Sequence, residues 1–178
     1  MKLVAYWFSI MMEKVVNVFI SHPTPYNKYQ EGFLSLIDLE LKKHRLNPTN
    51  LGKNNWSFRS PLKPIKEIMD TCVAAIVIGL ERHHSFIGYE KEFSKDAKEM
   101  IHKYSSSPWI QIEAGMAFQS GLPILILKES KVFGEGILDP QISDSFVFEF
   151  ELKKLQKRLS PELEEIINSW VKHINGLK

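Results

Sequence analysis

The sequence predicts an α/β fold, an open, doubly wound and mostly parallel sheet of five strands flanked by helices. Short apolar runs recur along the chain, and segments with helical patterns lie between them. Three of the four clearest runs are nearly continuous in apolar residues, as expected for strands of a parallel sheet that is covered on both faces. Strands that alternate with helices are joined by right-handed crossovers, which place helices on both sides of the sheet.

Each predicted strand corresponds to one apolar run. The four clear strands are predicted over residues 15–20, 73–80, 122–127 and 146–150, and a weaker fifth strand over residues 46–51. Such sheets bind ligands in the crevice at the carboxyl ends of their strands. Ser21, Glu81 and Lys128 follow three of these runs, so we expect them near the functional site.

The predicted helices cover residues 28–44, 65–71, 109–120 and a last segment from residue 161 onward. The first has apolar residues at every fourth position, Phe33, Ile37 and Leu41, which form one buried stripe. The last helix has a capping residue, Ser160, followed by Pro161, and proline is well suited to the first helical position.

The chain of 178 residues is predicted to hold an N-terminal extension, residues 1–14, and one domain, residues 15–178. Residues 3–12 are apolar, but a membrane span needs about 20 such residues, and no cleavage pattern of a signal peptide follows. We interpret this run as an extra strand or a segment packed on the domain. Alternatively, it precedes a true start at Met11 or Met12.

Composition excludes several classes of protein. The net charge is +2, with 23 basic and 21 acidic side chains, so no nucleic-acid surface built on bulk charge is expected. Cys72 is the one cysteine, which rules out a disulfide within the chain and makes the cytoplasm the default location. No metal site is predicted, because His83, His84 and His102 match no known ligand spacing and are better interpreted as polar surface.

Residues 81–107 form a long connection, rich in polar residues, between the strand predicted over residues 73–80 and the helix predicted over residues 109–120. A connection of this length is either an inserted helix, for which residues 89–104 are plausible, or a mobile cover over the crevice.

Glu113 is the strongest candidate for chemistry. It is the only charged residue between Tyr104 and Leu127, in a helix and strand that otherwise have the composition of buried segments. A carboxylate is seldom placed in such surroundings unless it is paired or used. Trp109 lies four residues earlier on the same helix face, and an aromatic ring beside an acid suits a flat or cationic substrate. The alternative is that Glu113 ends at the helix surface and Trp109 belongs to the core.

Three segments resemble the TIR domain family. The run SPWIQIE, residues 107–113, is similar to the Ser-x-Trp-x-x-x-Glu motif of that family, and VFIS, residues 18–21, is similar to its opening strand. Residues 54–64 lie where TIR domains carry their BB loop. The resemblance covers most of the chain from Val15 to Leu177 and implies a flavodoxin-like TIR fold.

The resemblance implies an NAD glycohydrolase or cyclase that splits the bond between nicotinamide and ribose, with Glu113 as the catalytic residue. NAD is then the substrate and no cofactor is expected. Phe19, Ser21 and Trp109 are the expected pocket residues. By the same resemblance, the protein is a cytoplasmic homo-oligomer that makes a nucleotide messenger for a separate effector in bacterial antiphage defence, with no membrane or nucleic-acid partner.

The predicted BB loop adds further candidates for substrate binding. Arg59 and Lys63 would contact a pyrophosphate, and Trp56 would contact an adenine or nicotinamide ring. The alternative is a solvated loop with a few anchoring side chains.

Two departures from the TIR pattern keep other functions open. The connection ahead of the Trp109 and Glu113 helix is longer than in a typical TIR domain. The run EAGMA, residues 113–117, resembles nucleoside 2-deoxyribosyltransferases, which also use a glutamate on an N-ribosyl bond. The alternatives are therefore a nucleoside or nucleotide N-glycosidase or deoxyribosyl transferase, and a non-catalytic TIR adaptor that acts by self-association.

Overall fold

The computed structural model describes residues 15–51, 62–141, 143, 145–155 and 157–176. The predicted N-terminal extension, residues 1–14, lies outside these described residues. So does most of the predicted BB loop, since residues 52–61 are also outside them.

Five parallel strands form the central sheet in the order β2-β1-β3-β6-β7, which confirms the predicted fold class. The seven strands of the described chain are β1 (Val16–Ser21), β2 (Leu46–Thr49), β3 (Cys72–Gly79), β4 (His83–Glu90), β5 (Lys98–Ser105), β6 (Ile124–Glu129) and β7 (Val147–Phe150). All five predicted strands are present in the central sheet, and none of their ends is displaced by more than two residues.

The α-helices of the described residues are α1 (Lys28–Lys43), α2 (Leu62–Met69), α3 (Pro108–Gln119) and α4 (Pro161–Gly176); the first three lie between strands and α4 follows the last strand. Asn27 caps α1, because its side-chain oxygen accepts hydrogen bonds from the backbone of Tyr29 and Gln30 at 3.0 Å each. The predicted cap of α4 is confirmed by a hydrogen bond of 3.2 Å from the backbone N–H of Leu163 to Ser160 Oγ. Helix α2 begins three residues earlier than predicted.

The helices cover both faces of the sheet. One core cluster joins α1 and α4 to the sheet, and Phe33 of α1 stacks on Phe150 of β7 with ring centroids 4.2 Å apart. Two other clusters join α2 and α3 to the opposite face. Because side chains alternate along a strand, Val18 of β1 points to the first face and Phe19 to the second. Ser21 has the parity of Phe19 and so points toward α3.

Residues 81–107 do not contain the predicted helix. Strands β4 and β5 pair antiparallel as a hairpin, so the helix over residues 89–104 was wrong. The apolar residues of that segment do recur at helical spacing, but no neighbouring surface buries them as a stripe: Phe93 is 97% exposed. The two halves of the segment instead pair with each other by cross-strand hydrogen bonds, and the chain reverses through Lys91 and Phe93, which have left-handed φ angles of 51° and 63°.

None of the helices in the described ranges is both long and apolar enough to cross a membrane.

Candidate functional site

A cavity of about 420 Å³ opens at the carboxyl edge of the sheet, beside the end of β1. This is the edge where ligands bind in open α/β sheets. Residues from β1, α2, α3 and the loops that follow β1, β2 and β3 line it. The lining residues are Phe19, Ile20, His22, Pro23, Thr24, Pro25, Asn50, Leu51, Ile65, Arg82, Ser107, Trp109 and Glu113.

Glu113 lines this cavity from α3, and its carboxylate is half-buried. The hydroxyl of Ser21, the last residue of β1, donates a hydrogen bond to Glu113 Oε2. Burial raises the pKa of Glu113, since a charged carboxylate loses hydration there, and the hydrogen bond from Ser21 opposes part of that rise. A carboxyl group with a raised pKa that faces a cavity is a candidate for catalysis.

Trp109 lies one helical turn before Glu113 and also lines the cavity, with 36% of its surface exposed. The predicted shared face of these two residues is therefore present, and Trp109 is not a fully buried core residue. An indole beside a carboxylate offers a surface on which a nucleobase or a pyridine ring can stack.

Helix α3 has a capped start and a face of small residues that packs on the sheet. Ser107 caps the helix, because its Oγ accepts a hydrogen bond of 3.3 Å from the backbone N–H of Trp109, and Pro108 occupies the first helical position. Ala114 and Ala117 are fully buried against the strands. Their small side chains let the helix lie close to the sheet, which brings Glu113 within hydrogen-bond reach of Ser21.

His22 is a cavity residue that the sequence analysis missed. Its Nδ1 lies 2.9 Å from the carbonyl oxygen of Pro23, and because a carbonyl only accepts, Nδ1 carries the proton. Nε2 is then an acceptor, and it lies 3.5 Å from Asn50 Nδ2. Burial lowers the pKa of His22 from its ordinary value of 6.5, so the ring is neutral at neutral pH.

Arg82 is the second missed residue. It directly follows the loop residue Glu81, lines the cavity and is exposed. Its Nη1 donates a hydrogen bond of 3.2 Å to Ser107 Oγ, the oxygen that also caps α3. A guanidinium group at the mouth of a cavity suits an anionic substrate group such as a phosphate. Both missed residues directly follow positions that were singled out, Ser21 and Glu81, at strand ends.

The other predicted binding residues have different positions. Phe19 lines the cavity, and Ser21 contacts Glu113. Lys63 lies in the first turn of α2, where it is exposed, and it is not among the residues that line the cavity. Trp56 and Arg59 lie outside the described residues.

Glu81 and Lys128, which were expected near the site, have structural partners instead. Glu81 forms an ion pair with Lys131, and its carbonyl oxygen accepts a hydrogen bond of 2.8 Å from Gln30 Nε2. The side-chain oxygen of Gln30 also accepts a bond of 3.1 Å from the backbone N–H of Tyr26. Gln30 thereby ties the loop that follows β1 to the loop that follows β3. Lys128 is buried and donates to the carbonyl oxygen of Val132 at 2.8 Å.

Two of the imidazoles in the hairpin, those of His84 and His102, contact each other. His84 stacks on Tyr104 with centroids 4.1 Å apart, and its Nε2 lies 3.0 Å from His102 Nδ1. Among the described residues, no group of three or more His, Cys, Asp and Glu side chains is arranged to hold a metal ion.

The cavity thus combines a half-buried carboxylate, an adjacent indole, a neutral imidazole and a guanidinium group. Within the described part of the chain, Glu113 is the one acid that lines it. A single fixed carboxylate stabilises positive charge that develops next to it, or attacks an electrophilic carbon.

Comparison with protein-family models finds no match, and comparison with curated proteins finds none either. Among solved structures, the chain is similar to the CMP N-glycosidase BcmB of Clostridium botulinum. The two share 18% sequence identity with a TM-score of 0.46, over 78% of this chain and 97% of that chain. A similarity of this size does not identify a reaction or a substrate.

Proposed function

We propose that the protein is an enzyme that cleaves the N-glycosidic bond between a base and the ribosyl unit of a nucleotide, with Glu113 acting on the ribose. The observation that carries this proposal is the half-buried carboxylate of Glu113, which is held by Ser21 and faces the cavity one helical turn from Trp109. The base stacks on the indole, which places the anomeric carbon of the sugar next to the carboxylate.

The reaction needs Glu113 in its ionised form. As the bond between the anomeric carbon and the base nitrogen breaks, its electron pair leaves with the base and positive charge develops on the ribose. The carboxylate stabilises that charge or bonds to the anomeric carbon, as glycosidase carboxylates do. Water then bonds to the anomeric carbon and releases a proton, which neutralises the anion of a base that was uncharged in the substrate, or passes to solvent where the base was already cationic. The products are the free base and the phosphorylated sugar. If a second base bonds to the anomeric carbon in place of water, the sugar is transferred to that base.

We propose a nucleoside monophosphate as the substrate. A cavity of about 420 Å³ lies in the lower part of the range of roughly 300–1,000 Å³ that is common for ligand sites, and so suits a mononucleotide. Arg82 at the same cavity supplies a cation for a phosphate group. The phosphate then lies at the end of the cavity where Arg82 and Ser107 meet.

NAD is the second candidate substrate, and the protonation state of His22 favours it. A neutral base leaves more readily when an acid protonates it, but His22 has a lowered pKa and is a poor acid at neutral pH. Nicotinamide in NAD is already cationic and leaves without a proton. A TIR-type NAD glycohydrolase or cyclase, acting in antiphage signalling, therefore remains a proposal on the motif in residues 107–113.

The test is product analysis with matched variants. Purified protein is incubated with each common nucleoside, nucleoside monophosphate and NAD, and released base is measured by liquid chromatography with mass spectrometry. We expect release of base that falls by about a thousandfold or more in Glu113→Gln, the scale found for catalytic groups. Glu165→Gln is the control, because Glu165 is exposed on α4, across the sheet from α3.

The substrate that yields base decides between the two candidates. Free nucleobase from a monophosphate, with NAD left intact, supports the N-glycosidase. Nicotinamide release supports the TIR-type enzyme, and the mass of the second product separates linear from cyclic ADP-ribose. Full activity in a folded Glu113→Gln variant would falsify the proposed role of Glu113. The absence of turnover with every nucleotide, together with self-association, would instead favour the non-catalytic adaptor.

A further inference from the structure

The β4-β5 hairpin is a separate two-stranded sheet. It is not continuous with the five-stranded sheet, and its contacts with the rest of the protein lie at its base, where Phe133 N donates to the carbonyl oxygen of Tyr104 at 2.8 Å. Within the described part of the chain, the hydrogen bonds of residues 86–101 are made to one another. An isolated two-stranded hairpin is at best marginally stable in water, and further strands or packing stabilise it.

Both faces of the hairpin expose large apolar side chains. Ile87 and Ile101 are direct cross-strand partners on one face, and they are 64% and 63% exposed. Phe86 lies on the opposite face, beside His84, and is 68% exposed. Apolar residues clustered on a surface indicate an interaction site, whereas a single exposed one does not.

In the ranges that the structure describes, strand β4 is open along its whole outer edge, whereas β5 is met by the main body at its base. On the other strand, Tyr104 of β5 forms a bridge with Val132 of the main body. Among the described residues, no strand neighbours β4 on its outer side. An edge strand of this kind presents a row of unpaired N–H and C=O groups, which is a template for pairing with another strand.

We propose that β4 pairs antiparallel with β4 of a second copy of the chain, about a two-fold axis, to form a four-stranded sheet β5-β4-β4-β5. Pairing at the edge extends both faces of the hairpin, so Phe86 on one face and Ile87 on the other each gain neighbours. Packing of two hairpins face to face covers only one of these faces. The observed exposure on both faces therefore favours the edge.

The polar side chains at the two ends of β4 are complementary in this arrangement, because an imidazole N–H donates to a carboxylate. Antiparallel pairing places the amino end of one strand, with His83 and His84, beside the carboxyl end of the other, with Glu90. The carboxylate thus meets imidazoles rather than another acid. The hairpin tip, residues 90–99, carries three lysines and four acids, so it is nearly neutral where it lies beside the base of the partner's hairpin.

The interface adjoins the cavity at the base of the hairpin. Arg82 directly precedes β4 and Ser107 lies two residues after β5, and the two are joined by the hydrogen bond of 3.2 Å. The proposed dimer stands independently of the reaction, since it rests on the hairpin alone.

The test compares two matched variants by sedimentation velocity from low micromolar to several hundred micromolar protein. Ile87→Lys places a charge on the proposed edge strand, and Ile101→Lys places the same charge on its cross-strand partner, about 4.8 Å farther from the interface. We expect a dimer for the unaltered protein. Its dissociation constant should rise about tenfold or more in Ile87→Lys and change by less than about threefold in Ile101→Lys.

Hydrogen exchange of the unaltered protein provides a second measurement that does not depend on how the variants fold. Backbone amides of β4 should exchange more slowly as protein concentration rises, while amides of β2, at the edge of the main sheet, should not change. A protein that stays monomeric over the whole range overturns the proposal. So does equal weakening by both lysine variants, which indicates face-to-face packing, or a dimer whose β4 amides show no concentration dependence.

Discussion

The hydroxyl of Ser21 on β1 donates a hydrogen bond to Glu113 Oε2 on α3, and so joins the end of a central strand to the proposed catalytic carboxylate. The pKa of Glu113 is subject to two opposing effects. Burial of Glu113 raises its pKa, and the bond from Ser21, which is stronger to the ionised form, lowers it. In the proposed reaction, Ser21 therefore positions the carboxylate of Glu113 and favours its ionised state.

Ser21→Ala should move the acid limb of the pH–rate profile to higher pH. The variant loses the hydrogen bond that favours the carboxylate, so the pKa of Glu113 rises further and ionisation of the carboxyl group requires a higher pH. We expect kcat to fall by up to about tenfold on the acid limb, where the loss of one hydrogen bond to the carboxylate is felt, and to recover as pH rises above that limb. Ser35→Ala is the control, since Ser35 Oγ bonds to the carbonyl oxygen of Glu31 on α1. An unshifted acid limb in Ser21→Ala contradicts the assignment.

Glu113→Gln should stabilise the fold at neutral pH while it removes activity. A carboxyl group whose pKa is raised by folding contributes stability that is present below its unfolded pKa, near 4.5, and is lost as pH rises through the folded value. Glutamine is uncharged, as the protonated carboxyl group is, and its side-chain oxygen still accepts the hydrogen bond from Ser21. We expect Tm at pH 7 to rise by roughly 2–4 °C per kcal/mol recovered.

The same comparison at low pH is the control for that prediction. Below about pH 4 both side chains are uncharged, so the difference in Tm between the variant and the unaltered protein should vanish. If the variant's Tm exceeds that of the unaltered protein by the same amount at every pH, the gain comes from packing. A variant with a lower Tm than the unaltered protein at pH 7 contradicts the stated cost of burying the charge.

Trp109→Ala should weaken substrate binding more than it slows the chemical step. Stacking of a base on an aromatic side chain contributes about 1–3 kcal/mol, so KM should rise by roughly 5- to 150-fold. Trp109→Phe keeps a ring at the cavity and should recover part of the affinity. Phe118→Ala is the control, because Phe118 is an exposed aromatic residue on the same helix outside the cavity lining. A Trp109→Ala variant with unchanged KM argues against stacking.

The fold and the centre of the site followed from local patterns. Continuous apolar runs predicted the parallel strands, because a strand that is buried on both faces is apolar at successive positions. An isolated charge in an apolar helix made Glu113 the candidate, because a buried charge is costly and therefore rare. The position of Ser21 at a strand end was enough to place it beside the crevice.

The hairpin and two cavity residues could not be obtained this way. Residues 89–104 have apolar side chains at helical spacing, yet the segment pairs as two strands through cross-strand hydrogen bonds, which do not require a neighbouring surface that buries one apolar stripe. His22 and Arg82 carry no local pattern of their own. Their positions depend on how loops after β1 and β3 turn, and on the contact of Arg82 with Ser107, which is 25 residues distant.

Arg82→Gln should discriminate phosphorylated from unphosphorylated substrates. If the guanidinium holds a phosphate, its loss removes a charge-assisted interaction of about 1.5–3 kcal/mol, so KM for a nucleoside monophosphate should rise about 10- to 150-fold. KM for the matching nucleoside should change little, because that substrate has no phosphate to lose. Lys63→Gln is the matched control, since Lys63 is exposed on α2 and is not among the residues that line the cavity. Equal losses for nucleoside and nucleotide indicate that Arg82 acts through Ser107 on the start of α3 instead.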